Sequence, residues 1–365
     1  TPTAFGSVGI PTVTLAQLTE ISQGSLAWDT TVQLLPLILI TPFVMVIIEG
    51  KSVRALKGIW PITLASGIAF AVPELLAARF LGAELPVIIG SVCSMAVTIL
   101  MARKNPQSRE KEYLIGDKKQ EEICQESENR ITIAEAVKAC IPFILIFVFL
   151  LLTSSMVPPL HDTLGKIKTV VQIYSGKGST PYTFTWVATP GVLILLAAVI
   201  GGKIQGADIS LIGKVFKDTC RQMWKTVVTI MSIMAMAKIM SHSGMIAEIA
   251  GMLVTLTGDF YPAAAPFVGA IGTFVTGSGT SANVLFGGLQ VETAGSLGLD
   301  PCWLAGANTV GATIGKMISP QSIAIGTAAT ATVGNESKIL RKVMKYCAIF
   351  IVIAGCVAYA GSRMR

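Results

Sequence analysis

The sequence predicts an all-α polytopic membrane protein, a transporter with discontinuous helices, re-entrant hairpins and two structural repeats. Three observations predict it. Mean hydropathy is +0.67. Charged residues make up 13% of the 365, about half the roughly 25% of soluble domains. Glycine (35) and proline (17) are abundant, and both are commoner in transmembrane helices than in soluble ones. A soluble chain of this length needs a polar coat, and the residues for one are missing.

A span needs about 20 apolar residues. Windows near that length occur at 33–48 with its flanks, 59–80, 85–102, 133–153, 183–202, 226–240 and 339–360. Between 241 and 333 the apolar runs are short and broken by Gly, Pro, Ser, Thr and Asn, so this is the expected broken-helix substrate region. The whole of 1–365 reads as one polytopic domain. Thr1 is not a start methionine and the chain opens inside a motif, so a preceding portion is expected.

The net charge of +7 sits in loops between apolar runs, as the positive-inside pattern requires, and not along a stripe that would bind nucleic acid. Lys51, Arg54 and Lys57, then 103–130, then Lys203, Lys214, Lys217, Arg221 and Lys225 form the cytoplasmic set. Arg79, Lys166, Lys168 and Lys177 are the sparser opposite set. Residues 103–130 are therefore the main cytoplasmic loop. Residues 156–182 form an extracellular loop, with turn signals at Pro158-Pro159 and Gly176-Lys177-Gly178. The stretch 214–225 is amphipathic and reads either as an interfacial helix or as the start of the next span. Lys338, Arg341, Lys342 and Lys345 place the start of the last helix in the cytoplasm. The seven cysteines contain no CxxC. They read as small hydrophobes, with neither a disulfide framework nor a metal site.

Four polar interruptions stand out: Thr1–Pro11, Pro73-Glu74, Thr276–Asn283, and Ala307-Asn308-Thr309 running on to Lys316–Ser322. The first and third share small polar residues and a Phe-Gly pair (Phe5-Gly6, Phe286-Gly287). The second and fourth carry a proline downstream of a Trp (Trp60 to Pro73, Trp303 to Pro320). Paired interrupted segments in two halves point to a transport site at the breaks. A broken helix exposes backbone N–H groups carrying partial positive charge. Ser278, Thr280, Ser281 and Asn283 add neutral donors, and Lys316 adds a full charge that a small carboxylate could pair with. The substrate-binding candidates are Thr3, Ser7, Thr276, Ser278, Thr280, Ser281, Asn283, Asn308, Lys316, Ser319 and Gln321. Close helix packing explains small residues equally well, a snorkelling Lys316 is the structural alternative, and Asn308 could brace a break instead of touching substrate.

Proton coupling needs a titratable group within the membrane. Glu74, Asp259 and His242 are the candidates. Asp259 also fits a solvated turn, and His242 an interface position.

The runs Gly272-Thr273-Phe274-Val275-Thr276-Gly277-Ser278, Asn283-Val284-Leu285-Phe286-Gly287, Ala307-Asn308-Thr309 and Gly315-Lys316-Met317-Ile318-Ser319-Pro320-Gln321-Ser322-Ile323-Ala324-Ile325 resemble the L-lactate permease family. So does the opening 2–11. The resemblance implies import of L-lactate, or in some members glycolate, with protons. It also implies paired inverted halves with hairpins, and places 276–283 and 316–321 near the substrate. Family members are longer at the N-terminus. Relatives often carry Ser-Asp-Thr-Asn where this chain has Ser278-Gly279-Thr280-Ser281, a departure that bears on coupling or substrate choice.

The expected function is thus a secondary transporter of a 2-hydroxy monocarboxylate with protons in the cell membrane, and the alternative is an anion channel. No HExxH or GxSxG marks an enzyme. Expected partners are a small carboxylate, protons and lipid, with no nucleic acid and no cofactor. A homo-oligomer is compatible with the sequence.

Overall fold

A computed structural model describes residues 4–6, 9–50, 52–104, 132–153, 157–172, 182–187, 189–329 and 334–365. These residues are overwhelmingly helical, as the composition predicts. They divide into two compact units, one formed by Thr1–Met101 with Lys225–Arg365 and the other by Ala102–Trp224.

The larger unit opens with a turn at 4–6 and helix α1 (Ile10–Thr19), followed by α2 (Gln23–Glu49). Ser22 caps α2, its Oγ accepting from the Ser25 N–H at 3.2 Å. Helices α3 (Trp60–Phe80) and α4 (Pro86–Lys104) follow, each opening with a proline in its first turn, where a missing N–H costs nothing. Pro36 and Pro42 lie inside α2 and Pro73 inside α3 without ending either helix. Pro73-Glu74 is thus an interruption of composition but not of backbone, because packed neighbours allow a proline within such a helix.

In the smaller unit, α5 (Ile133–Thr153) and α6 (Pro158–Gly165) precede a two-stranded hairpin, β1 (Lys168–Val171) with β2 (Tyr182–Thr185), and then α7 (Pro190–Gln205). The strands are antiparallel, Lys168 opposite Thr185 and Val171 opposite Tyr182. Helix α5 packs on α7, and the Gln205 amide donates to the carbonyls of Lys138 and Ala139. The span expected over 183–202 is split. Tyr182, Thr183, Phe184 and Thr185 are aromatic and β-branched and pair as a strand, and the helix starts only at Pro190. The described part of 156–182 likewise carries α6 and β1. Of the expected loop 103–130, all beyond 104 lies outside the described residues.

Helix α8 (Ile209–His242) runs unbroken through the amphipathic stretch 214–225, and the division between the two units falls within it. Then come α9 (Met245–Thr257), α10 (Tyr261–Thr276), α11 (Gly279–Leu297), α12 (Pro301–Gly315), α13 (Pro320–Ala329) and α14 (Glu336–Met364). Helices α10 and α11 form a hairpin whose tip is Thr276–Gly279. Helices α12 and α13 are two pieces of one interrupted path, broken at 316–319. Two of the expected interruptions are therefore true backbone breaks.

Helix α10 packs most extensively on α12, then on α14 and α11. A Cβ on Gly311 would overlap the carbonyl of Pro266, and one on Gly269 the carbonyl of Asn308. These glycines let the backbones approach closely, the role small residues play between membrane helices. The core behind this contact holds Leu34, Leu37, Phe70, Val310, Ile314 and Phe350.

One end of this unit is tied by charge. The Arg365 guanidinium donates to both oxygens of Asp29 and, at 2.9 Å, to Asp300, and it lies over the Trp303 ring. Arg363 pairs with Asp259 at 2.9 Å, and Arg79 lies over Trp28. Four described helices are long and apolar enough to cross a membrane: α2, α3, α4 and α14.

Candidate functional site

A small cavity forms where the breaks meet. It is lined by Ala4 and Gly6 of the first turn, Pro11 of α1, Gly279 and Asn283 of α11, Thr309, Ala312 and Thr313 of α12, and Lys316 beyond it. Three of the four polar interruptions thus converge on one place. The cavity measures about 20 Å³, room for about one water. A larger guest needs the walls to move.

The hairpin tip explains the backbone geometry. Gly277 adopts φ +74, a left-handed turn conformation, and a Cβ there would overlap the Gln321 side chain. Gln321 therefore lies against the tip, and the α12–α13 break sits beside it. The tip hydroxyls are largely committed to the turn. Thr276 Oγ1 donates to the Gly272 carbonyl at 2.7 Å and accepts from the Ser278 N–H. Ser278 caps α11 by accepting from the Ser281 N–H at 3.4 Å. Capping at the third position leaves the Gly279 and Thr280 N–H groups without an intrahelical partner. They form the positive end of a 19-residue helix, and Gly279 lines the cavity.

Asn283 is fully buried and held from three sides. Its amide donates to the Pro11 carbonyl at 3.2 Å, and its Oδ1 accepts from Asn308 Nδ2 at 3.0 Å and from Thr309 Oγ1 at 3.3 Å. Asn308 in turn accepts from Gln290 Nε2 at 3.3 Å, and Gln290 Oε1 accepts from the Tyr261 hydroxyl at 2.9 Å. This buried chain joins α1, α11, α12 and α10. Every member is satisfied by another, the condition under which a buried polar network adds rigidity instead of cost.

Lys316 follows the C-terminus of α12, where a cation is favoured. Its side chain is exposed, and among the described residues it forms no ion pair. Ser319 is fully buried and its Oγ has no partner among the described residues.

The remaining sequence candidates are distributed as follows. Thr3 and Ser7 lie outside the described residues, although Ala4 and Gly6 between them line the cavity. Thr276, Ser278, Thr280 and Ser281 sit at the tip behind Gly279. Asn308 touches Asn283 instead of the cavity. Asp259 is exposed and paired to Arg363, and His242 is exposed at the end of α8. Glu74 is fully buried in α3. Sequence reasoning missed Thr309 and Thr313 as cavity groups, and Gln290 and Tyr261 as network members. Gln290 carried a signal, since it stands seven residues after Asn283 and therefore on the same helix face.

The family comparison decides what kind of protein carries this cavity. Residues 1–364 match the family described as L-lactate permease. The chain belongs to the L-lactate permease family. It is 45% identical over 305 residues to the L-lactate permease of Streptococcus iniae, covering 84% of this chain and 62% of that protein. It is 32% identical over 390 residues to the L-lactate permease of Bacillus subtilis (strain 168), covering 98% of this chain and 68% of the relative. The glycolate permease of Escherichia coli (strain K12) is 29% identical over 384 residues. The chain thus spans between three fifths and seven tenths of these relatives' lengths. No solved structure matches it. These relatives are named as permeases and not as enzymes, and family and apolar helices together make this a membrane protein.

Proposed function

We propose that the protein is a secondary transporter that imports L-lactate or a related short 2-hydroxy monocarboxylate with protons across the cell membrane. The observation that carries this reading is the cavity. The α11 N-terminus, presenting the Gly279 N–H, and Lys316 meet there at two backbone breaks beside Thr309 and Thr313. The N–H and the ammonium are donors for a small carboxylate, and the threonine hydroxyls are acceptors for a 2-hydroxyl. The names of the relatives, lactate and glycolate permeases, favour the same substrate class.

In this reading the carboxylate accepts from the Gly279 and Thr280 N–H groups and from Lys316 Nζ. The 2-hydroxyl donates to Thr309 or Thr313, whose own protons are already given to Asn283 Oδ1 and the Thr309 carbonyl. Asn283 and Asn308 hold the walls in register. The small volume supports a carrier over an open pore, since substrate is admitted only when the α10–α11 tip moves relative to α1 and α12. The chain crosses the membrane several times. The ends carrying Arg54, Arg103 and Lys338 face the cytoplasm, and the Asp29–Arg365–Asp300 end faces outward.

The test is uptake of radiolabelled L-lactate by the full-length protein in proteoliposomes with an imposed pH gradient, competed by a panel of short acids. Saturable accumulation with proton movement in fixed ratio supports the carrier. Non-saturating flux with no gradient-driven accumulation supports a channel, and no flux of any short acid refutes the reading.

A further inference from the structure

Glu74 is the deepest acidic side chain in the larger unit. It lies in the C-terminal half of α3, is fully buried, and neither carboxylate oxygen has a hydrogen-bond partner among the described residues. Gly90 of α4 packs directly on it. A Cβ at that position would lie 3.3 Å from Glu74 Cβ and 3.0 Å from the Phe70 carbonyl oxygen.

The titratable groups on the surrounding elements form no ion pair with it among the described residues. On α2, Asp29 is bound by Arg365 and Glu49 is exposed at the helix end. On α3, Arg79 lies over Trp28. On α4, Cys93 follows Gly90 by three residues, and Arg103 and Lys104 end the helix. On α12 and α14, which share the Phe70 core, Lys316 lines the other cavity and Lys345 lies over Tyr346. A charge on Glu74 has neither counter-ion nor hydrogen bond in this conformation, a costly arrangement. Water has to reach the carboxyl before it ionises.

A second cavity, lined by Phe70, lies within one helical turn of Glu74. It lies among α2, α3 and α4, measures about 170 Å³, and is lined by Thr41, Pro42, Ser66, Phe70 and Ser94 among others. Its lining is mostly apolar, and its polar side chains are Thr41, Ser66 and Ser94. Ser66 Oγ and Ser94 Oγ lie 3.0 Å apart, and Ser94 Oγ also donates to the Ser66 carbonyl. Pro42 has no N–H, so the carbonyl of Ile38, which also lines the space, lacks its helical donor. A cavity of this size has room for several waters, and these groups offer them hydrogen-bond partners. Phe70 forms one wall, and Glu74 stands one turn further along the same helix face.

We propose that Glu74 is the proton carrier of transport and that the α2–α3–α4 cavity is its water path, with Phe70 as the barrier between them. The proposal rests on the proton-coupled reading above. In each cycle the carboxylate takes a proton from a hydronium ion in the cavity, leaving water, and later gives it back to water on the far side of the membrane. No bond other than O–H is made or broken. The carrier site is thus separate from the substrate cavity, which Glu74 does not line.

The test compares the full-length wild type with Glu74→Gln in proteoliposomes. Two fluxes are read: exchange of labelled L-lactate at equal pH on both sides, and accumulation driven by a pH gradient, with an entrapped pH dye reporting proton movement. The expected result is that Glu74→Gln keeps exchange, no longer varies with pH, and loses accumulation at least ~tenfold. Ser94→Leu, which fills the water path, is expected to slow accumulation while sparing exchange. Wild-type accumulation by a folded Glu74→Gln protein overturns the proposal, and so does loss of exchange together with accumulation, which marks Glu74 as structural. Infrared difference spectra read Glu74 without transport. A protonated-carboxyl band that titrates in the wild type and is absent from Glu74→Gln is expected, and its absence from the wild type at every pH overturns the assignment. If the wild type moves no short acid, the transport reading fails while the infrared result still decides whether Glu74 exchanges a proton.

Discussion

Asn308 shows how the cavity is held at the scale of single residues. It faces away from the cavity and ties Asn283, which lines it, to Gln290. Asn308→Leu strands a buried donor on Gln290 and leaves Asn283 Oδ1 with Thr309 alone, at about 1–3 kcal/mol for the unsatisfied group. Thermal unfolding in detergent should show the loss. Replacing Asn283 and Asn308 together should cost less than the sum of the single changes, because the two share partners. The residue scale also shows what a sequence conveys. Asn283 and Lys316 were legible because an amide and an ammonium are expensive in apolar surroundings. Thr276 and Ser278 were legible as polar but not as turn-closing, since whether a hydroxyl faces a ligand or its own backbone depends on the turn formed. Thr309 and Thr313 were hidden because threonine is common in such helices, bonding the preceding turn.

At the scale of elements, the tip of the α10–α11 hairpin makes neighbouring glycines behave oppositely. Gly277→Ala places a side chain at positive φ and against Gln321, so it should destabilise by more than about 1 kcal/mol. A Cβ on Gly279 meets open space, so Gly279→Ala should change the melting temperature little. It should instead narrow the cavity and favour glycolate over lactate in competition assays. Gly311→Ala should push α12 off Pro266 and cost about 1–3 kcal/mol. The breaks at 276–279 and 316–319 were readable from glycine, serine and proline clustered between apolar runs. The continuity of α3 through Pro73 was not, because a proline within a membrane helix either breaks it or is accommodated according to its neighbours. The split of 183–202 into strand and helix was missed because hydropathy alone does not separate a β-branched strand from a helical span.

For the whole molecule, the proposed topology places the basic loops in the cytoplasm, and the Asp29–Arg365–Asp300 cluster ties α2, α12 and α14 at one end. Asp29→Asn removes a charged acceptor from a side chain that is 5% exposed, and should cost about 1.5–3 kcal/mol. Cysteines introduced at Arg54 and Lys342 of the full-length protein should resist an impermeant thiol reagent in intact cells, whereas one at Gly298 should react. Labelling from the opposite sides would invert the topology. The proposed site for a short carboxylate is the cavity where the hairpin tip, the first turn and Lys316 meet. It is tested most directly by titrating L-lactate into the purified full-length protein and its Lys316→Met variant by calorimetry. The expected result is saturable wild-type binding and at least a ~tenfold weaker variant, about 1.4 kcal/mol, with an unchanged melting temperature because Lys316 is exposed and unpaired among the described residues. Equal affinity of a folded Lys316→Met protein for L-lactate would contradict it.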